Sequence, residues 1–201
     1  VGGINPWAVE TALKLGGKVV WMPTNTAENH CKKEERGDYV ACTENGRPVK
    51  ELKAVFELIK DHDAVLATGH ISPRECFIIA EAARDAGVKK VVITHPEFHI
   101  VGMSLEDQIR IVRDYDVMLE RVYAQPIGGG NYKKNLADNV EAVRAVGCEH
   151  IIVSTDGGQM QNPEWYFAIE EYIDYLYDAG ITKQEIDQMT KRNPASMLGC
   201  I

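Results

Sequence analysis

Apolar residues along this chain fall into short β-rich runs separated by longer stretches of helical period. The runs are Lys18-Val-Val-Trp-Met-Pro-Thr24, Ala64-Val-Leu-Ala-Thr-Gly-His70, Lys90-Val-Val-Ile-Thr-His95, Asp116-Val-Met-Leu-Glu-Arg-Val-Tyr-Ala124 and His150-Ile-Ile-Val-Ser-Thr-Asp156. Between the first two, Leu52, Val55, Phe56 and Ile59 form one stripe, which predicts a helix from about Lys50 to Asp61. Punctuation residues place the other helices. Asn5-Pro6 starts one that stops at Gly16-Gly17, Ser72-Pro73 starts one that ends near Ala86, and Ser104-Leu-Glu-Asp107 is a variant capping box. Further helices are expected up to Gly147, from Pro163 to Ala179, and from Thr182 through Gly199.

Such alternation gives roughly five strand–helix units and predicts an α/β fold with a parallel sheet. In that arrangement the carboxyl ends of all strands lie on one face, where residues distant in sequence converge. The spacing predicts a single domain over residues 1–201, with no linker or low-complexity tail. Residues 25–49 are long for a connection and leave a strand's carboxyl end, which is the position of a lid or binding loop. Within them, Asn45-Gly46 is a two-residue hairpin signal.

Composition narrows the function. With 201 residues and 45% hydrophobic content, the chain can bury a core without disulfides. A net charge of −8 disfavours a nucleic-acid partner, because phosphate recognition wants a basic surface. Five cysteines with no C-x-x-C pair point to reduced thiols and a cytoplasmic location. No apolar run approaches the roughly 20 residues that would cross a bilayer, so no membrane partner is expected. A small-molecule substrate fits this profile, which leaves room for a homo-oligomer.

Three of the runs stop at a group able to bind metal or carry protons: His70, His95 and Asp156. Two imidazoles and a carboxylate are the donor mix favoured by Zn²⁺, with Mn²⁺ or Fe²⁺ as options. Each alone has an ordinary explanation, namely a loop histidine, a turn residue fixed by Pro96, and an Asx turn before Gly157-Gly158. Their joint placement at strand ends favours a site. Secondary candidates rank lower. Glu120 lies mid-strand, facing a site or pairing with Arg121; Glu97 and His99 follow His95; Glu75 falls in the first turn of a helix, where the dipole also favours it. His30 is expected as a solvated loop residue with an option on the same face, and His62 and His150 as bystanders. Gly128-Gly129-Gly130 is read as a flexible loop entering a helix, a weak phosphate signal.

Trp21-Met-Pro-Thr24, Thr68-Gly-His70, Thr94-His-Pro96, Ser154-Thr-Asp-Gly-Gly158 and the closing Asn193-Pro-Ala-Ser-Met-Leu-Gly199 together resemble the amidohydrolase superfamily, in its branch of uncharacterised metal-dependent hydrolases. The resemblance implies a (β/α)8 TIM-like barrel represented by its last five strand–helix units, with His70 ending the fifth strand, His95 the sixth and Asp156 the eighth. It implies that the two histidines and Asp156 bind or orient one or two divalent metals, and that Asp156 handles the proton of the attacking water. That family's first strand carries a His-x-His pair absent from this chain, so about three strands are expected ahead of Val1 to complete a barrel of roughly 250 residues. The Lys18 strand also offers no lysine at its exit end for carboxylation, which leaves a second metal to Glu120, His30 or the preceding segment.

The reading that follows is a metal-dependent hydrolase acting on an amide, ester, lactone or related centre. Metal-assisted decarboxylation on the same scaffold is the neighbouring chemistry, distinguished by CO2 release. A metal-free phosphate-binding barrel enzyme and a non-catalytic partial barrel are the other classes, distinguished by metal content and by the sequence before Val1.

Overall fold

The computed structural model describes residues 2–200. Five parallel strands form the sheet, in the order β1 (Val19–Trp21), β4 (Val65–Ala67), β5 (Lys90–Thr94), β6 (Met118–Val122), β9 (Ile151–Ser154). Spatial order follows chain order, so each strand pairs with the next one made and the sheet curls as one arc of a barrel. The α/β fold with a parallel sheet expected from the alternation is therefore present, as the partial barrel that the resemblance implies. Among the described residues, no helix is long and apolar enough to cross a membrane.

The helices cover one side of this arc. They are α1 (Pro6–Lys14), α3 (Glu51–Asp61), α4 (Pro73–Asp85), α5 (Leu105–Tyr115), α6 (Leu136–Val146) and α7 (Trp165–Asp178). Their starts follow the capping chemistry: Asn5 accepts from Ala8 N–H, Ser104 from Asp107 N–H, and Ser72 with Glu75 forms a complete capping box. Alternate strand residues then sort to two faces. Leu66, Val91, Ile93, Leu119, Ile151 and Val153 pack outward against the helices in the main core. Val65, Ala67 and Val92 face inward, with Val19, Met118 and Ile152 partly buried beside them.

Arg121 belongs to the outer set. It is 2% exposed and donates to Asn139 Oδ1 (2.9 Å) and Gln108 Oε1 (2.7 Å), tying β6 to α5 and α6. Glu120, one residue earlier, takes the inward face opposite Thr94. The proposed Glu120–Arg121 pairing does not form, because neighbours on a strand point to opposite sides.

Two segments differ from the sequence-based expectation. The run from Asp116 to Ala124 is not one strand: β6 ends at Val122, and β7 (Ala124–Gly128) folds back on β8 (Asn131–Lys134) as an antiparallel hairpin. The glycines make its turn, with Gly129 and Gly130 at φ +60° and +77°. They do not lead into α6, whose N-cap is Asn135. At the C-terminus the expected single helix is α8 (Lys183–Asp187), a π-helical turn at Gln188–Arg192, and α9 (Asn193–Leu198). Asn193 donates to the carbonyls of Cys148 (2.8 Å) and Ile151 (2.6 Å), so the closing motif anchors the chain end to the start of β9.

Residues 25–49 hold α2 (Glu28–Lys33) and the hairpin β2 (Thr43–Glu44) to β3 (Arg47–Pro48), the latter around Asn45-Gly46 as expected. Asn29 in α2 donates to the carbonyls of His70 (3.0 Å) and Ile100 (2.8 Å), which seats this segment on the strand-end face.

Candidate active site

His70 and His95 leave adjacent strands that are laced together at their ends. Thr68 Oγ1 accepts from Thr94 N–H (3.0 Å), and Thr94 Oγ1 accepts from Gly69 N–H (3.1 Å). Gly69 is required between them. Its φ is +58°, and a Cβ there would lie 2.5 Å from the Met22 carbonyl oxygen and 2.6 Å from that of Pro23. His70 N–H donates to the same Pro23 carbonyl (3.0 Å), so the Trp-Met-Pro-Thr run serves as the wall against which the histidine is fixed. His95 and Asp156 both adopt positive φ, +27° and +48°. Strain of this kind costs about 1–2 kcal/mol per residue for an L side chain and persists where surrounding structure enforces it.

The imidazoles form a cluster. Ring centroids of His70 and His95 are 4.9 Å apart, and those of His30 and His70 are 4.8 Å apart. Phe98 meets His70 and His95 edge-on at 5.3 and 5.1 Å and closes their apolar side. Burial pushes His70 down to about 3, with the electrostatic cost of placing protons on imidazoles so close to His95 and His30 adding to it, and pushes His95 down to about 4. Both rings are thus neutral at physiological pH, the form that donates a lone pair. His95 Nδ1 is buried without a hydrogen-bond partner.

His30 is a correction to the sequence reading. It is not a solvated loop residue but a buried position in α2, 6% exposed, with Nδ1 2.6 Å from His70 Nδ1. Nothing in local composition marked it, because α2 is six residues long and mostly polar.

Asp156 shares one cavity with His70, His30, Glu34 and Arg36, of about 590 Å³. Burial raises its carboxyl group's proton affinity, and Gln159 opposes that from 3.5 Å. Glu120 lies on the inward face with Ser154 Oγ donating to it at 3.0 Å. Burial pushes it up to about 7, against the pull of that hydroxyl and with a further push from Asp156.

Other candidates have structural duties. Glu97 turns outward: Oε1 accepts from Val122 N–H (2.7 Å), and Oε2 faces Arg121 Nη1 at 3.4 Å, an ion pair without hydrogen-bond geometry. Desolvation raises its proton affinity and Arg121 opposes it. Glu75 is used by its capping box and by Thr43 Oγ1, outside the histidine cavity. His99 does line that cavity, held at Nδ1 and at its backbone N–H by Gln125 Oε1. His62 lies on the surface of α3, and His150 sits near Asp116 at the entering end of β9. Asn29, Phe98, Glu34 and Gln125 were not legible beforehand, since their roles depend on contacts across the fold.

Among the described residues, no group of three or more histidine, cysteine, aspartate and glutamate side chains is arranged to hold a metal ion. The chemistry of the pair still fits one. Two neutral imidazoles stand together, one with an unpartnered buried nitrogen, and this is a donor pair in need of an acceptor.

The model "Family of unknown function (DUF6282)" matches residues 1–120. The chain belongs to that family. No curated protein matches the DUF6282 chain in sequence. Among solved structures it is similar to an amidohydrolase from Pseudomonas aeruginosa, with a TM-score of 0.65 and 15% identity over 96% of this chain and 67% of that one. An amidohydrolase from Mycoplasma synoviae matches with a TM-score of 0.58 and 16% identity over 81% of this chain and 52% of that one. A zinc-bound amidohydrolase from Burkholderia multivorans matches with a TM-score of 0.57 and 11% identity, covering 96% and 78%. At these identities the likeness is one of fold, and it bears out the fold implied by the motifs. The chain spans about half of the Mycoplasma structure's length.

Proposed function

We propose that this chain carries the strand-end face of a metal-dependent hydrolase, acting on a carbonyl or related centre of amide, ester or lactone type. The observation that carries the reading is the pair His70 and His95: adjacent, neutral, low in basicity, with one ring nitrogen unpartnered. They would hold a divalent ion, zinc before manganese or iron, and the zinc in the Burkholderia protein supports that order. Such an ion supplies Lewis acidity and lowers the pKa of a bound water to about 7.

The chain's own residues do the rest. Asp156, across the cavity and with raised proton affinity, takes the proton of the attacking water and returns it to the leaving group. Glu120, pushed up to about 7, keeps a proton available at the inner face near Asp156. Phe98 excludes water from one side of the imidazoles, and the cavity of about 590 Å³ has room for a small molecule.

Titration calorimetry with zinc, manganese and iron(II), followed by turnover of a panel of aryl ester, lactone and anilide substrates, tests the reading. The expected result is stoichiometric zinc bound by the parent chain and lost in the His70→Asn, His95→Asn double variant. Asp156→Asn should keep zinc binding and lose turnover. A parent chain that binds none of the three metals ends the proposal, and full turnover in Asp156→Asn removes that residue from it.

A further inference from the structure

His70 is held by a chain of polar groups along the cavity wall that the hydrolase reading does not use. On α2, Glu34 Oε1 lies 3.1 Å from His30 Nε2, one helical turn earlier, and His30 Nδ1 lies 2.6 Å from His70 Nδ1. The far oxygen of Glu34 is held by Arg36 Nε at 2.9 Å, and Arg36 also donates to the Asn25 carbonyl. The sequence therefore spaces a histidine, a carboxylate and a guanidinium so that each fixes the next.

The polarity of this chain follows from what each group can donate. An ionised carboxylate only accepts, and a neutral imidazole carries a single N–H. Glu34 accepts at Nε2 of His30, so the His30 proton resides there and its Nδ1 offers a lone pair. His70 must then donate from Nδ1, which leaves its Nε2 as the free lone pair. Two nitrogens bound to one tetrahedral ion at bonds of about 2.0–2.1 Å would stand about 3.4 Å apart. At 2.6 Å, His30 and His70 are hydrogen-bond partners and not co-ligands.

We propose that Glu34 and His30 form a carboxylate–imidazole chain that sets the tautomer of His70, fixing the proton on Nδ1 and presenting Nε2 as its donor atom. His30 and Glu34 are then positioning residues. Backbone and ring of His70 are both governed from α2, since Asn29 holds its carbonyl while His30 holds its ring. The tautomer assignment stands on this geometry with His30 neutral, whereas its consequence for metal affinity rests on the proposed function. Groups of this kind behind a ligating histidine typically change metal affinity by roughly 10–100-fold when removed.

Long-range ¹⁵N–¹H correlation spectra of the uniformly ¹⁵N-labelled, metal-free chain at pH 7.5 read the tautomers directly, with His70 assigned through His70→Asn. The expected pattern is a protonated Nδ1 and bare Nε2 in His70, with the reverse in His30. Glu34→Gln, whose amide oxygen still accepts, should keep that pattern, and Glu34→Ala should convert both rings to mixed tautomers. His70 carrying its proton on Nε2, an imidazolium at His30, or no response to Glu34→Ala each overturns the assignment. Competition for zinc against a chromophoric chelator gives the second readout: Glu34→Ala should weaken binding by roughly 10–100-fold, and unchanged affinity overturns the positioning role. A parent chain that binds none of zinc, manganese and iron would instead sink the hydrolase reading, with the spectra still deciding the tautomer.

Discussion

Replacing His95 with asparagine should flatten the dependence of stability on acid between pH 6.5 and 4. In the folded chain burial holds this imidazole down to about 4, whereas in the unfolded chain it titrates near 6.5. Below pH 6.5 the unfolded chain therefore takes up a proton that the folded chain refuses. Its contribution to stability is complete above 6.5 and is lost as pH falls toward 4. At about 1.4 kcal/mol per tenfold change in proton concentration, the loss across that window is about 3 kcal/mol. Domains commonly have about 5–15 kcal/mol in total, so the effect is large enough to measure.

The parent curve alone would mislead. His70, pushed down to about 3, loses stability over the same range, while Glu120 runs the other way. Its pKa is raised to about 7, so its contribution is complete below the unfolded value and fades as pH rises through 7. The informative quantity is the difference between parent and His95→Asn. Urea denaturation followed by tryptophan fluorescence at pH 7, 6, 5 and 4.5 should show that difference shrinking by about 1.4 kcal/mol per pH unit below 6. A difference that stays constant across the series refutes the claim that His95 is held neutral by the fold.

Gly69→Ala should cost more than about 3 kcal/mol in the same assay, since about 1–2 kcal/mol of left-handed strain adds to a Cβ within 2.6 Å of two backbone carbonyls; a cost under about 1 kcal/mol would mean the strand-end wall gives way freely. Arg121→Ala leaves Glu97 buried and unpaired, a loss of about 3–5 kcal/mol, and the Arg121→Ala, Glu97→Ala double variant should be less destabilised than the sum of the two single changes. Additive losses there would show that the two side chains act separately. Asn29→Ala removes a donor from two carbonyls and should cost about 1–3 kcal/mol together with faster amide exchange at the His70 and Ile100 loops; unchanged exchange would place the hold on His70 elsewhere.

Strands and helices were legible because their apolar period is regular and their ends carry caps that act locally, as at Asn5, Ser72 and Ser104. The placement of His70, His95 and Asp156 on the strand-end face was legible for a related reason: each follows a buried strand, and parallel topology fixes which face that end occupies. The hairpin after β6 was not, because Pro126 and three successive glycines read as irregular backbone, and only pairing of Ala124 with Lys134 shows otherwise. Of the two alternatives the sequence left open for Glu120, the structure takes the inward-facing one, and the partner of Arg121 is Glu97. The sequence places Glu120 beside Arg121, but a strand turns adjacent side chains to opposite faces, and Glu97 reaches Arg121 from the loop after the neighbouring strand β5. His30 was misread for a different reason. A short polar helix has no apolar signature, and its burial comes from docking onto strand ends made about 40 residues later.

The central claim is that His70 and His95 together hold a divalent ion, and X-ray absorption at the zinc edge of the zinc-loaded chain tests it most directly. The account predicts imidazole multiple scattering from two histidines with Zn–N distances of about 2.0–2.1 Å, abolished in the His70→Asn, His95→Asn double variant. A spectrum without histidine scattering, or one unchanged by removing both side chains, would contradict it.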